Sequence, residues 1–209
     1  MVARQLHQAT VVTIPRWNAA ALFRAAAIAL CLGIGFWQIG QGLYIKAKAE
    51  VAQVLLERAW QETMTDGQSH KAWPWADAWP VARLEVPTLG KNQIVLSNAS
   101  GEALAFGPGH MLGSPLPGAQ GMSVIAGHRD SHFSFLRDLE NDDVVTLTTS
   151  DGLTRRYVVG STEIVNSAHT QIDPGAEIGI ALVTCYPFDA RERGPLRYIV
   201  FATPERDAI

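Results

Sequence analysis

Between Ala25 and Ile45 only Gln38 and Gln41 carry polar side chains, and this run constrains the chain more than any other stretch. Its 21 residues are enough for one crossing of a bilayer. Backbone in lipid finds no water to bond, so the run has to be a helix that satisfies its own N–H and C=O groups. Trp17 and Tyr44 lie near its two ends, where aromatic rings favour the membrane interface. Arg16 and Arg24 would also suit the charged region of a cleaved signal peptide. Against that reading, the apolar stretch is long, starts late and continues into a helical segment without a clear small-residue cleavage site. An uncleaved signal anchor over residues 25–45 is therefore expected. Arg4, Arg16, Arg24 and the amino terminus lie on one side; Lys46 and Lys48, diluted by Glu50, lie on the other. The positive-inside bias leans towards a cytoplasmic segment over residues 1–24.

The remaining length fits one globular domain with a core of its own. A net charge of −3 argues against nucleic-acid binding, since no basic face is visible. Charged residues make up only 18% of the chain, which agrees with part of it lying in lipid. Cys31 falls inside the apolar run and cannot easily meet Cys185, so no disulfide framework is available. Cys185 is then a single unpaired thiol, to be read either as a buried structural residue or as a reactive one.

Residues 46–63 are rich in Ala, Glu, Gln, Leu and Lys, with Val51, Val54, Leu55 and Arg58 at helical spacing, and predict a juxtamembrane helix. Residues 64–80 read as a linker in which Trp73, Trp75 and Trp79 are stiffened by Pro74 and Pro80. The three indoles suit either anchoring in the headgroup region or packing across the outside of the following domain. The second is preferred, because tryptophan buries a large area wherever it finds a groove.

From residue 81 to the end, short β-branched or alternating runs dominate, punctuated by Gly, Pro, Asn and Asp. Candidate strands are 81–86, 93–96, 122–126, 144–149, 154–165, 180–185 and 196–202, and Asp151-Gly152 marks a hairpin. Ser131 to Leu139 reads as a short helix with Phe133, Leu136 and Leu139 on one side. The pattern predicts an all-β domain, closed or nearly closed, with little helix.

Three of these strands end in reactive groups. Val124-Ile125-Ala126-Gly127-His128 delivers an imidazole, and Ile180-Ala181-Leu182-Val183-Thr184-Cys185 delivers a thiol. Leu196-Arg197-Tyr198 opens the last strand with a guanidinium. A nucleophile, a proton carrier and a fixed positive charge are what acyl transfer through a thioester needs. Ala-Gly-His-Arg, then Leu-Val-Thr-Cys, then Pro-Leu-Arg-Tyr, in that order, resembles the sortase family of cysteine transpeptidases. The motif wording is most similar to the Gram-negative branch, class GN.

The resemblance covers residues 80–203 and implies the eight-stranded sortase β-barrel, with the catalytic domain over 81–209. It implies a single-pass protein of the inner membrane whose catalytic domain lies on the periplasmic side. It also implies an exported protein substrate with a carboxy-terminal Leu-Pro-x-Thr-Gly (LPXTG) type sorting signal, typically one carrying a von Willebrand-type domain. The acyl group would pass to an amine acceptor that the sequence does not identify.

Cys185 is the expected nucleophile, His128 the acid and base, and Arg197 the oxyanion stabiliser. Thr184, beside the thiol, and His110, in the sequence Gly107-Pro108-Gly109-His110, are the expected substrate contacts. That glycine-proline stretch reads as a loop free to move, and Gly107 to Gly121 as a turn region lining the substrate. His7 and His70 are excluded by position, His132 reads as a solvated helix residue, and His169 lies in a turn. Arg191 and Arg193 fall in the loop after Cys185, where no strand fixes them, and read as solvated or substrate-facing. Asp130 reads as a helix N-cap rather than an orienter of His128.

No paired-histidine or carboxylate spacing suggests a metal, and no cofactor is expected. Two other readings stand beside the sortase one. An L,D-transpeptidase of peptidoglycan also places His before Cys, but in a Ser-x-Gly-Cys context, whereas this chain has Val-Thr-Cys-Tyr. A membrane-tethered binding barrel without activity is the non-enzymatic alternative.

Overall fold

The computed structural model describes residues 18–173, 175, 177–192 and 194–205. Arg4, His7, Arg16, Trp17 and Arg193 lie outside the described residues, as does most of the segment 1–24. The chain divides into two units, Met1–Lys48 and Ala49–Ile209.

In the first unit the described residues from Ala19 onward are helical. They belong to α1, Ala19–Asp66, which covers in one element the residues expected to form two helices. Its best 18-residue window has a mean hydropathy of 2.0 and no buried residue. Leu30, Phe36, Trp37 and Tyr44 are all exposed. Among the described residues this is the one helix long and apolar enough to cross a membrane.

The second unit begins with the last turns of α1. Ala52, Leu56, Ala59, Trp60 and Thr63 are buried there, at the three- and four-residue spacing of one helix face. Val51 and Val54, two of the residues read at helical spacing, are 57% and 69% exposed. Trp60 offers more apolar area than either valine, and the neighbouring alanines let the helix approach closely. Leu56 and Trp60 form a small core with Ala78, Ile94, Leu96 and Ala103.

The rest of this unit is a closed barrel of eight strands. These are β1 (Pro80–Val86), β2 (Lys91–Leu96), β3 (Gly109–His110), β4 (Met122–Ala126), β5 (Val144–Thr149), β6 (Thr154–Asn166), β7 (Gly179–Cys185) and β8 (Leu196–Pro204). Round the barrel they run β1-β2-β3-β4-β7-β8-β6-β5, with β2–β3 and β4–β7 parallel and the other pairs antiparallel. Asp151-Gly152 closes the β5–β6 hairpin, and Gly152 takes the positive φ of 79° that the turn requires. Leu84, Val145, Leu147, Ile180, Leu182 and Val200 fill the interior, joined by Phe133 and Leu136 from the connection after β4.

Several local expectations are corrected. The eighth strand, β3, is only two residues long and carries His110, which is 3% exposed and paired with Ile125, not on a free loop. Gly109 explains the tight seat: a Cβ there would lie 2.1 Å from the Asn98 carbonyl oxygen. The helix expected over Ser131–Leu139 is a 3₁₀ turn confined to Ser134–Asp138. Phe133 donates its N–H to the His128 carbonyl at 2.9 Å, which draws the chain into turns before a helix can start. Asp130 therefore caps nothing; the residue before the 3₁₀ turn is Phe133, with no side-chain cap.

The three linker tryptophans behave differently from one another. Trp73 packs edge-on against Phe106 at 4.9 Å, and Trp79 exchanges hydrogen bonds with Ser97. Trp75, expected to pack, is 78% exposed.

Candidate active site

The site is built on the outer face of β4, β7 and β8. Successive side chains on a strand face opposite ways. On β7, Ile180 and Leu182 enter the barrel interior, while Ala181 and Val183 join a second apolar cluster with Met122, Val124 and Ile199. This two-sided burial is why β7 reads as an unbroken apolar run. Cys185 continues the Ala181–Val183 face. Arg197 continues the Ile199 face of β8, and Cys185 and Arg197 are register partners. Directly opposed side chains on one face lie about 5 Å apart at Cβ, so the strand pairing itself starts the two side chains side by side.

His128 arrives from the parallel neighbour. Ala126 pairs with Val183, and the Gly127 N–H continues the ladder by donating to the Val183 carbonyl at 3.0 Å. The strand pairing ends there, and His128, two residues past Ala126, lines the same cleft as Cys185. Thr184 locks this junction. It is 2% exposed, and its hydroxyl donates to the Gly127 carbonyl at 2.7 Å. Gly127 is needed because a Cβ would lie 2.6 Å from Cγ of the fully buried Phe133.

Arg197 spends Nη1 on the carbonyls of Gly194 and Leu196, both at 2.8 Å. Its other N–H groups bond to no protein group among the described residues. His128, Cys185 and Arg197 all line one cleft of about 860 Å³. Its walls are mostly apolar, with Leu104, Met111, Val124, Ile172, Val183 and Ile199 among them, and Thr184 also contributes. The volume and lining suit a short apolar peptide rather than a polar metabolite. Among the described residues no three His, Cys, Asp or Glu side chains come together as metal ligands would.

His110 does not line this cleft; it lies behind the strap that does. Its Nε2 is 3.0 Å from Ser114 Oγ and close to the carbonyls of Ser114 and Pro115. Ser114 Oγ donates in turn to the Met111 carbonyl and accepts from the Val124 N–H. This ring thus fixes Met111–Ser114, which form one wall. Ser114 escaped the sequence reading, since a serine in a glycine-rich stretch carries no pattern of its own.

His132, expected to be solvated, is half-buried, with Nδ1 3.1 Å from Gln93 Oε1. Burial above all, aided by His128, holds its pKa below the usual 6.5, against a backbone bond at Ala105 and the charge of Asp130. Arg191 is exposed in the loop after Cys185.

Known proteins resemble this chain in sequence and fold. A curated relative, Sortase D of Bacillus subtilis (strain 168), is 32% identical over 120 residues, which are 56% of this chain and 60% of that protein, so less than two thirds of its length is matched. Among solved structures, Sortase A from Corynebacterium diphtheriae superposes with a TM-score of 0.55 at 28% identity, covering 63% of each chain. A Sortase D5 transpeptidase of Clostridium perfringens, at 20% identity, shares the fold, with a TM-score of 0.58 over 75% of this chain and 99% of that one. The Sortase domain family model matches residues 84–205, more than half of the chain and all of the site described above, and the chain belongs to the sortase family.

Proposed function

We propose that the protein is a membrane-anchored cysteine transpeptidase that cuts a sorting motif of the Leu-Pro-x-Thr-Gly kind and passes the acyl group to an amine. One observation carries the reading. Cys185 and Arg197 are cross-strand partners, His128 follows the end of the β4–β7 ladder, and all three line one apolar cleft.

The steps follow from the residue types. Cys185 Sγ, as thiolate, adds to the scissile carbonyl carbon. The free N–H groups of Arg197, with backbone amides near Cys185, stabilise the oxyanion. The C–N bond breaks as His128 protonates the leaving amine, and a thioester remains. A second amine then adds to the thioester carbonyl and gives up a proton to His128. The C–S bond breaks with its electron pair on Sγ, and an amide is released. Thr184 serves by holding Gly127, and hence His128, in register; His110 serves by holding the wall that meets the peptide.

The motif wording supports placement in the Gram-negative branch. In that case α1 is the inner-membrane anchor, the barrel is periplasmic, and the substrate is an exported protein, as with a von Willebrand-type partner. The exposed apolar half of α1 supports the anchor.

The test is direct. The full chain in detergent is mixed with a sorting peptide without acceptor, and the protein mass is measured. A thioester adduct is expected on the parent and none on Cys185→Ala, with unchanged circular dichroism. An adduct on the Ala variant would remove Cys185 from the role.

A further inference from the structure

The apolar cleft stops at His128, Cys185 and Arg197. Among the described residues, none of its lining comes from the loop of residues 186–195 between β7 and β8. That loop follows Cys185. Its return end is held by Ser167, whose N–H and Oγ both donate to the Pro195 carbonyl at 2.9 Å, and by Arg197 at the Gly194 carbonyl; its middle is held from the β4 side by two arginines. Arg129, next to His128, donates from Nη2 to the carbonyls of Ala190, at 2.6 Å, and Glu192, at 2.9 Å. Arg137, on the 3₁₀ turn that follows, lies 4.8 Å over the Phe188 ring and 3.3 Å from the Asp189 carboxylate.

The two anchors differ in kind. Asp189 is largely in solvent, its side chain 89% exposed, so water and salt screen its ion pair. Arg129 is half-buried and grips main-chain oxygens, so it fixes the path of the loop whatever side chains the loop carries. Its Nη1 is buried with no acceptor among the described residues. A buried guanidinium N–H left unpaired costs free energy, and folds tolerate such costs mainly where they serve a site.

Position indicates which side of the acyl group the clamp serves. The acyl part of the peptide fills the cleft. The leaving amine has to lie on the far side of Cys185, within reach of His128, and the incoming amine retraces the same route. The loop held by Arg129 borders that route. We propose that Arg129 is a positioning residue for acyl transfer, holding the 186–195 loop so that an amine in an extended chain, rather than water, reaches the thioester carbonyl. The inference rests on the transpeptidase reading above. Bonds balance alike for either acceptor: N–C or O–C forms, C–S breaks, and the acceptor's proton leaves through His128.

The experiment uses the full chain in detergent, a fluorogenic sorting peptide, and triglycine amide as acceptor. Arg129→Ala should lower the burst of acylation by less than about threefold, and the ratio of transfer to hydrolysis by about tenfold or more, the scale of a lost charge-assisted bond. Arg129→Lys, which keeps the charge and can meet one carbonyl, should fall between. Hydrogen exchange over 186–195 should quicken in the Ala variant while β4 and β7 stay protected. An unchanged ratio, equal losses in both half-reactions, or a parent that acylates and only hydrolyses would overturn the proposal. A parent that never forms a thioester overturns the transpeptidase reading instead, and unchanged loop exchange then overturns the clamp on its own terms. If Arg129→Ala fails to fold, Arg129→Lys and Arg129→Gln carry the same measurements.

Discussion

Two histidines separate chemistry from support at the scale of single residues. His128 ends a strand at the reactive cleft, whereas His110 is buried behind one wall and bonded to Ser114. His128→Ala should lose nearly all turnover with little change in melting temperature. His110→Ala should keep a measurable part of its turnover and melt earlier, because it leaves a cavity and frees Ser114. Reversed losses would move the acid and base role to His110. Arg197 allows charge and shape to be parted. Lysine keeps the charge but lacks the planar fork of donors, and an oxyanion donor is worth about 2.7–4 kcal/mol, or a hundred- to a thousand-fold in rate. Arg197→Lys should lose most of that factor in kcat with KM nearly constant, and Arg197→Ala at least as much. Arg191→Lys, on the exposed loop, should stay within about threefold of the parent, a surface-substitution effect. A nearly active Arg197→Lys would leave only a general role for positive charge, while losses confined to KM would make Arg197 a recognition residue.

At the scale of elements, the site depends on a turn that holds β4 against β7. Gly127 sits where any Cβ would strike the Phe133 ring, and Phe133 fills the barrel end. Gly127→Ala should cost about 1–3 kcal/mol, as overpacking does, and should displace His128 enough to lower kcat. Phe133→Leu, which makes room, should restore part of both in the double variant; strictly additive losses in chemical denaturation would refute the coupling. The same elements explain what could be read from sequence. Seven strands were legible because each has several β-branched or alternating residues between turn formers, and the three strand ends named the site. The two-residue β3 has no periodicity to read, so His110 passed for a mobile loop residue. The packed face of α1 is not legible from its valines, because periodicity weighs them above alanines, whereas close approach favours Ala52 and Ala59 beside Trp60. Arg129 was legible only as a letter in a motif; its partners are main-chain oxygens about sixty positions away, and no side-chain pattern encodes those.

For the molecule as a whole, the second unit depends on how its share of α1 is held to the barrel. Beyond the Leu56–Trp60 core, Glu57 accepts two short bonds from Arg83 Nη2 of β1, at 2.6 and 2.7 Å, and a third from Gln61 at 2.8 Å, and the Arg83 guanidinium lies 6.0 Å over Trp60. Burial works against the Glu57 charge, but the bonds from Gln61 and Arg83, together with the charge of Arg83, prevail and hold its pKa below the usual 4.5. A carboxylate whose folded pKa is depressed adds stability that is fully present above the unfolded value and is lost as pH falls through the folded one. Glu57→Gln should therefore melt earlier than the parent by a constant amount above about pH 5.5, a unit or so over the unfolded value. The gap should shrink as pH drops below that value and close once the carboxylate is protonated in both states. Because the Glu57 side chain is 45% exposed, solvent screening limits the effect to about 1 kcal/mol or less, and high salt should reduce it. Melting curves of both proteins in the same detergent, taken across this range, measure the gap. A difference that persists undiminished at acid pH would mean that the Glu57 side chain holds α1 through packing and neutral hydrogen bonds, with its charge contributing nothing.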